Sequence, residues 1–128
     1  MYTIDDVERL LGDIAEEIPD EFFRYLNGGV ILLPQVKLHP EGVAGDLYIM
    51  GEYNHRYDMG RSICMYYGSF MRLYANAPEN ILRWHLRDTL LHEFTHHLES
   101  LAGERGLEIK DEIQLEEYKR VHREDGEK

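Results

Sequence analysis

The sequence predicts a single α+β domain, with helices at both ends around a small mixed sheet of three to four strands. Three observations lead there. Residues 4–18 repeat apolar side chains at helical spacing. Residues 30–67 fall into short runs rich in β-branched and aromatic residues, separated by Gly, Pro and Asn. From Pro78 to about Leu101 the chain reads as one long helix.

Taken in order, Thr3 is placed to cap a first helix running to about Ile18, with Asp5 and Asp6 in its first turn. Ile4, Val7, Leu10, Leu11, Ile14 and Ile18 form its apolar stripe. Pro19 and Asp20 break it, and Glu21 to Leu26 reads as a second short helix closed by Asn27-Gly28-Gly29. Val30 to Leu33 is a strand, followed by a loop through His39-Pro40-Glu41-Gly42. Leu47 to Tyr53 is the second strand, Asn54 to Arg61 a polar loop, and Ser62 to Tyr67 the third strand. Phe70 to Tyr74 fits either a helical turn or a fourth strand. Asn76 and Pro78 open the long helix, and Gly103 closes it. A charged final helix spans Asp111 to His122, burying Ile113, Leu115 and Tyr118. One domain therefore covers 1–122, with a frayed tail at 123–128.

Composition narrows the function. A 128-residue chain with 43% hydrophobic and 30% charged residues can bury a core. Fourteen basic against twenty-five acidic side chains, a net charge of -11, repel phosphate backbones, so nucleic acid is not the expected partner. The single cysteine, Cys64, excludes an internal disulfide and reads as a small buried apolar residue. The acidic start lacks the basic-then-apolar order of a signal peptide, and no run is long enough to span a membrane. The expected compartment is the cytoplasm, with no membrane partner.

The chemistry is concentrated in His92-Glu93-Phe94-Thr95-His96. Four residues advance a helix by about one turn, so both imidazoles project from one face and can share one metal ion. Glu93 lies about 100° around from His92, where it is better placed to hold a metal-bound water than to ligate. Two ligands plus a general base is the physical content of this spacing. Leu82, Leu86, Leu90, Phe94, Leu98 and Leu101 form an apolar stripe opposite the histidines, while His85, Asp88, Thr89 and Glu99 fall near them. The same letters can arise by chance on a solvated helix. The half-apolar helix that carries them favours the floor of a cleft.

The stretch from Arg87 to His97 resembles the minimal zincin-like metallopeptidases of bacteria, small one-domain proteins. Pro19-Asp20-Glu21-Phe22 matches their early Pro-acid-Glu-Phe segment. Leu47 to Tyr53 matches a strand, and Met65-Tyr66-Tyr67-Gly68 matches a strand end of the form Tyr-x-Gly. The resemblance covers residues 4 to 101 and implies a zincin-like fold, Zn2+ as cofactor and peptidase activity. That family continues after its second histidine with a helix-ending glycine and an acidic third ligand. Here those positions hold Glu99 and Ala102, and the helix continues.

A catalytic zinc needs a third protein ligand beside a water position. Asp111 is the first choice, since Asp111-Glu112 resembles the family's acidic pair after an inserted stretch. Glu112 is nearly equivalent. Glu99 lies on the correct face but a turn beyond His96, where it suits a hydrogen bond to a ligand imidazole better than ligation. Glu104 is a fourth option. Among the other groups, His97 reads as surface or packing and His85 as a rim or packing residue. His39, His55 and His122 read as solvated, while Tyr66 and Tyr67 read as core with a second placement near the cleft.

The sequence therefore predicts a zinc-dependent peptidase acting on a peptide or protein. His92, His96 and an acid would hold the metal, and Glu93 would move a proton from metal-bound water to the leaving amine. The alternative is a non-catalytic metal-binding or protein-interaction domain that keeps the helix.

Overall fold

The computed structural model describes residues 2–42, 45, 47–58, 60–105 and 120, with 104 and 105 as backbone only. The order is helix α1 (Ile4–Glu17), a 3-10 turn (Asp20–Phe23), strands β1 (Gly29–Leu33), β2 (Gly51–Arg56) and β3 (Gly60–Tyr66), then helices α2 (Tyr67–Tyr74) and α3 (Glu79–Arg105). The domain is α+β with a three-stranded mixed sheet in the order β1-β3-β2. Strand β1 is parallel to β3, and β2 is antiparallel to it.

Helix α1 starts where its cap chemistry dictates. The Asp6 N–H donates to Thr3 Oγ1 (3.1 Å) and the Thr3 N–H donates to Asp6 Oδ2 (2.9 Å), a reciprocal capping box. Val7, Leu10, Leu11 and Ile14 are buried from this helix, with Ile18 just beyond its end. The short helix expected over Glu21–Leu26 is a single 3-10 turn, ended by Tyr25 at φ 66°. It delivers Phe22 and Phe23 edge-on to Phe94, with centroids 5.9 and 5.0 Å away.

The sheet has one covered face. Alternation sends Ile63 and Met65 of β3 into the core, both fully buried, beside Val30 and Leu32 of β1. The opposite face carries Ile31 and Cys64. Cys64 is half-exposed there, not a buried core residue as expected, because its register position points away from the helices.

The second strand departs from expectation. Leu47 to Ile49 does not join the main sheet but follows residues 37–39 through a single bridge, Leu38 to Tyr48. The strand proper is Gly51–Arg56, within what reads as a polar loop. Pairing decides this: β2 and β3 form a tight hairpin with Gly60 at φ 75°, which brings Asn54, His55 and Arg56 into register despite their polarity. Phe70 to Tyr74 is helical, within α2.

Helix α3 spans 27 residues and continues through Gly103 to Arg105, past the predicted end near Leu101. One glycine costs a helix only about 1 kcal/mol, less than the anchorage of the fully buried Leu101 offsets. Leu82, Leu86, Leu90 and Phe94 are likewise fully buried, so the expected stripe forms. Leu98 is the exception: it is half-buried, and His97 occupies the core position between Phe94 and Leu101. At about 100° per residue, position 97 falls at the centre of the stripe that runs from Leu82 to Leu101, whereas 98 lies about 100° further round, beyond its edge. No helix among the described residues is long and apolar enough to cross a membrane. The predicted final helix and the tail at 123–128 lie outside the described residues.

Candidate metal centre and cleft

An open cleft of about 760 Å³ runs between α3 and strand β2. His92, Glu93, His96 and Glu99 form its helical wall, and Gly51, Glu52, Tyr53 and His55 line it from β2. A second recess of about 410 Å³, reached by Met50, Asp88 and Thr89, shares Gly51, His92 and Glu93 with the first. The groove thus extends along the strand on both sides of Glu93.

His92 and His96 turn their Nε2 atoms toward each other, 3.1 Å apart, with both side chains exposed. Two imidazole nitrogens about 2.0–2.1 Å from a tetrahedral zinc stand about 3.3 Å apart, close to the spacing of this pair. Glu99 takes the other side of His96, its Oε1 3.4 Å from Nδ1. A carboxylate there favours a proton on Nδ1 and leaves the Nε2 lone pair facing the cleft. Among the described residues, no group of three or more His, Cys, Asp or Glu side chains forms a complete metal set. Asp111 and Glu112 lie outside the described residues, as does the Glu104 side chain.

Glu93 is only 6% exposed. Burial pushes its carboxyl above the usual carboxylate range, opposed by the charges of His92 and His96 and reinforced by Glu52. The nearby backbone N–H of Tyr53 also pulls it downward. The source of that N–H is legible in the register. Tyr66 donates its N–H to the Met50 carbonyl (3.0 Å), so the even-numbered residues of β2 bond inward to β3. By alternation the backbone groups of Gly51, Tyr53 and His55 face the free edge. Gly51 suits the close approach of strand and helix: a Cβ there would lie 3.0 Å from Thr89 Cγ2 and 3.1 Å from Met65 Sδ, so either neighbour would have to give way.

Several groups on or behind the cleft wall have roles that local sequence patterns do not assign. Glu52 lines the cleft and accepts from Lys37 Nζ (2.7 Å) and the Tyr66 hydroxyl (2.6 Å). Burial alone would raise its carboxyl; the two hydrogen bonds more than reverse this and leave it below the ordinary range. Tyr66 is therefore buried yet tied to a cleft residue. His55, expected as a solvated loop residue, sits on β2 at the cleft wall. His97 is fully buried and hydrogen-bonded at both ring nitrogens, to the Tyr53 hydroxyl (2.9 Å) and the Arg24 carbonyl (2.8 Å). By sequence alone Tyr53 is only a strand end. His85 lies away from the cleft, stacked on Tyr74 with centroids 4.1 Å apart. The available signals were the odd-number alternation of Gly51, Tyr53 and His55 and the helical phase of 97 at the centre of the stripe from Leu82 to Leu101.

No family model matches the chain, and no curated protein matches it. Among solved structures it is similar to a conserved hypothetical protein from Thermo thermophilus, with 35% sequence identity and a TM-score of 0.67. The match covers 79% of this chain and 98% of that one. At that identity and coverage, the chain belongs to the same family as the Thermo thermophilus protein.

Proposed function

We propose that the protein is a zinc-dependent peptidase of the zincin type, with Glu93 as its general base. The observation that carries this reading is the facing pair of Nε2 atoms on His92 and His96, with a buried carboxylate between them in sequence and at the cleft wall. His92 and His96 would hold the ion, joined by an acid from beyond residue 105, with Asp111 the first candidate and Glu112 the second. A Zn2+ ion there supplies Lewis acidity, lowering the pKa of a water and polarising a carbonyl.

The chain's own residues account for the remaining steps. Burial raises the proton affinity of Glu93, which suits a group that must accept a proton and then return it. Its place on the edge of the dry core leaves part of the carboxylate at the cleft, within reach of the nucleophilic water. Strand β2 is an edge strand beside the histidines, so an extended peptide can align along it by main-chain hydrogen bonding. The recesses on both sides of Glu93 give room for residues before and after the scissile bond.

The test combines metal loading with a peptide library. Wild type should bind one zinc per chain and cleave. Glu93→Gln should keep the zinc and lose about 10²–10⁴-fold in kcat, the usual worth of a general base. Unchanged turnover in that variant sinks the mechanism. Zinc binding with no cleavage of any peptide supports a non-catalytic metal domain instead.

A further inference from the structure

The sheet has a second free edge, on the side away from the cleft. Strand β1 stands at the other end of the order β1-β3-β2, so among the described residues it is paired on one side only. Gly28 donates its N–H to the Arg61 carbonyl (2.7 Å), whereas Gly29 donates to Leu26 (3.1 Å). By alternation Val30 and Leu32 bond to β3, and the main-chain groups of Ile31 and Leu33 face outward. Edge strands are commonly guarded by a charge, a proline or a bulge. The run Gly-Val-Ile-Leu-Leu over Gly29–Leu33 contains none of these, and its register against β3 is unbroken.

Beside this edge, between β1 and α1, lies a recess of about 200 Å³. Val30, Leu32, Leu11 and Leu90 give it apolar walls, and Gly12, Ala15 and Glu8 line it from the helix. Val30 and Leu32 face the core yet stay only partly buried, since the recess leaves their flank uncovered. Gly12 is the residue that keeps the space open. A helix interior disfavours glycine, and a Cβ at this position would meet no atom within 4 Å. The packing of the chain therefore does not call for glycine here, while a longer side chain would take up the recess. An apolar cavity of about 150 Å³ holds a benzene-sized molecule, so there is room for one branched side chain.

We propose that the β1 edge and its recess dock an extended, basic segment of a partner protein, which adds a strand to the sheet and seats one apolar side chain against Gly12. Charge selects this occupant. Glu8 stands at the recess, and Asp5, Asp13 and Glu16 are exposed on the same helix. The ion pairs of α1 use Asp6 and Glu17 instead, so among the described residues these four acids have no ion-pair partner. Arg9 is the only base on the helix and already faces Asp6. A second copy of the chain fits less well: pairing two β1 edges about a twofold axis sets one acidic helix beside the other, like charge against like. The site is separate from the cleft and does not depend on the peptidase reading.

The probe is a synthetic ten-residue peptide of alternating valine and threonine with two lysines at each end, set against a second with glutamate for every lysine. Both are titrated into the full chain carrying Glu93→Gln, so that no cleavage competes, and amide hydrogen exchange is read by residue. The basic peptide should slow exchange at Ile31 and Leu33 by more than about tenfold, and the acidic one should bind at least about tenfold more weakly. Gly12→Leu, which occupies the recess, should weaken the basic peptide by about tenfold or more, with a thermal midpoint no lower than that of the parent. Glu8→Lys, an exposed change that spares the packing, should reverse the preference between the two peptides, and it decides the matter if Gly12→Leu fails to fold. Protection at Gly51, Tyr53 and His55 in place of Ile31 and Leu33 overturns the proposal, as does the absence of binding by the basic peptide. So does an unchanged affinity in folded Gly12→Leu or in Glu8→Lys. Protection of Ile31 and Leu33 in the free monomer overturns it in favour of the chain's own segment as the cover, and protection that grows with protein concentration as the mass doubles overturns it in favour of a second copy.

Discussion

Along α3, the side that carries Leu82, Leu86, Leu90, Phe94, His97 and Leu101 is fully dry. The neighbouring side carries His92, His96 and Glu99 exposed in an open cleft. Glu93 sits on the boundary, nearly buried but still lining the cleft. The contrast separates two requirements within one helix. The dry side holds the helix in place through area removed from water. The open side presents the two Nε2 atoms of His92 and His96 at the cleft. A carboxylate on the border gains proton affinity from the first environment and access to water from the second. Polarity alone does not assign a residue to a side: His97 belongs to the dry one because both its nitrogens are satisfied there.

Substitutions on the two sides should therefore separate. The largest stability effect is expected at Phe94, fully buried against Phe22 and Phe23. Phe94→Ala should cost about 3–5 kcal/mol in denaturant unfolding of the metal-free protein. A loss under about 1 kcal/mol would break the claim that this side carries the helix.

A smaller effect is expected across the cleft, at the Lys37–Glu52 pair. Both side chains are partly exposed, so Lys37→Met should cost under about 1 kcal/mol at neutral pH. The pair holds the Glu52 carboxyl below its ordinary 4.5. Its contribution is thus present above that value and lost as pH falls through the lower, folded-state value. Unfolding curves of wild type and Lys37→Met should converge on acidification below about pH 4.5. A gap that widens toward acid would show that the sign is wrong. The smallest stability effect is expected on the open side: His92→Ala should shift the metal-free protein by no more than about 0.5 kcal/mol.

The same contrast explains what was readable in the sequence. Helix α1, with its Thr3–Asp6 box and apolar stripe, depends on local chemistry and is predicted nearly to the residue. His92, Glu93 and His96 share one helical turn, so their convergence needed only the helix period. The β2 wall depends on pairing between distant residues. Asn54 and His55 look like loop by polarity and become strand because β3 and the hairpin turn set the register. Tyr53 and His97 are 44 residues apart, and no local pattern links them. Leu98 competes with His97 for the same stripe, and hydrophobicity favours Leu98 while helical phase favours His97.

The proposed function turns on a metal ion held on the open side of α3 by His92 and His96. Equilibrium zinc titration of wild type and His92→Ala, both checked for native folding, tests it most directly. One zinc per wild-type chain is expected, with a loss of more than about tenfold in affinity in the variant, since even an outer partner's removal commonly costs that much. Equal affinity in the two proteins, or a folded wild type that takes up no zinc, would contradict it.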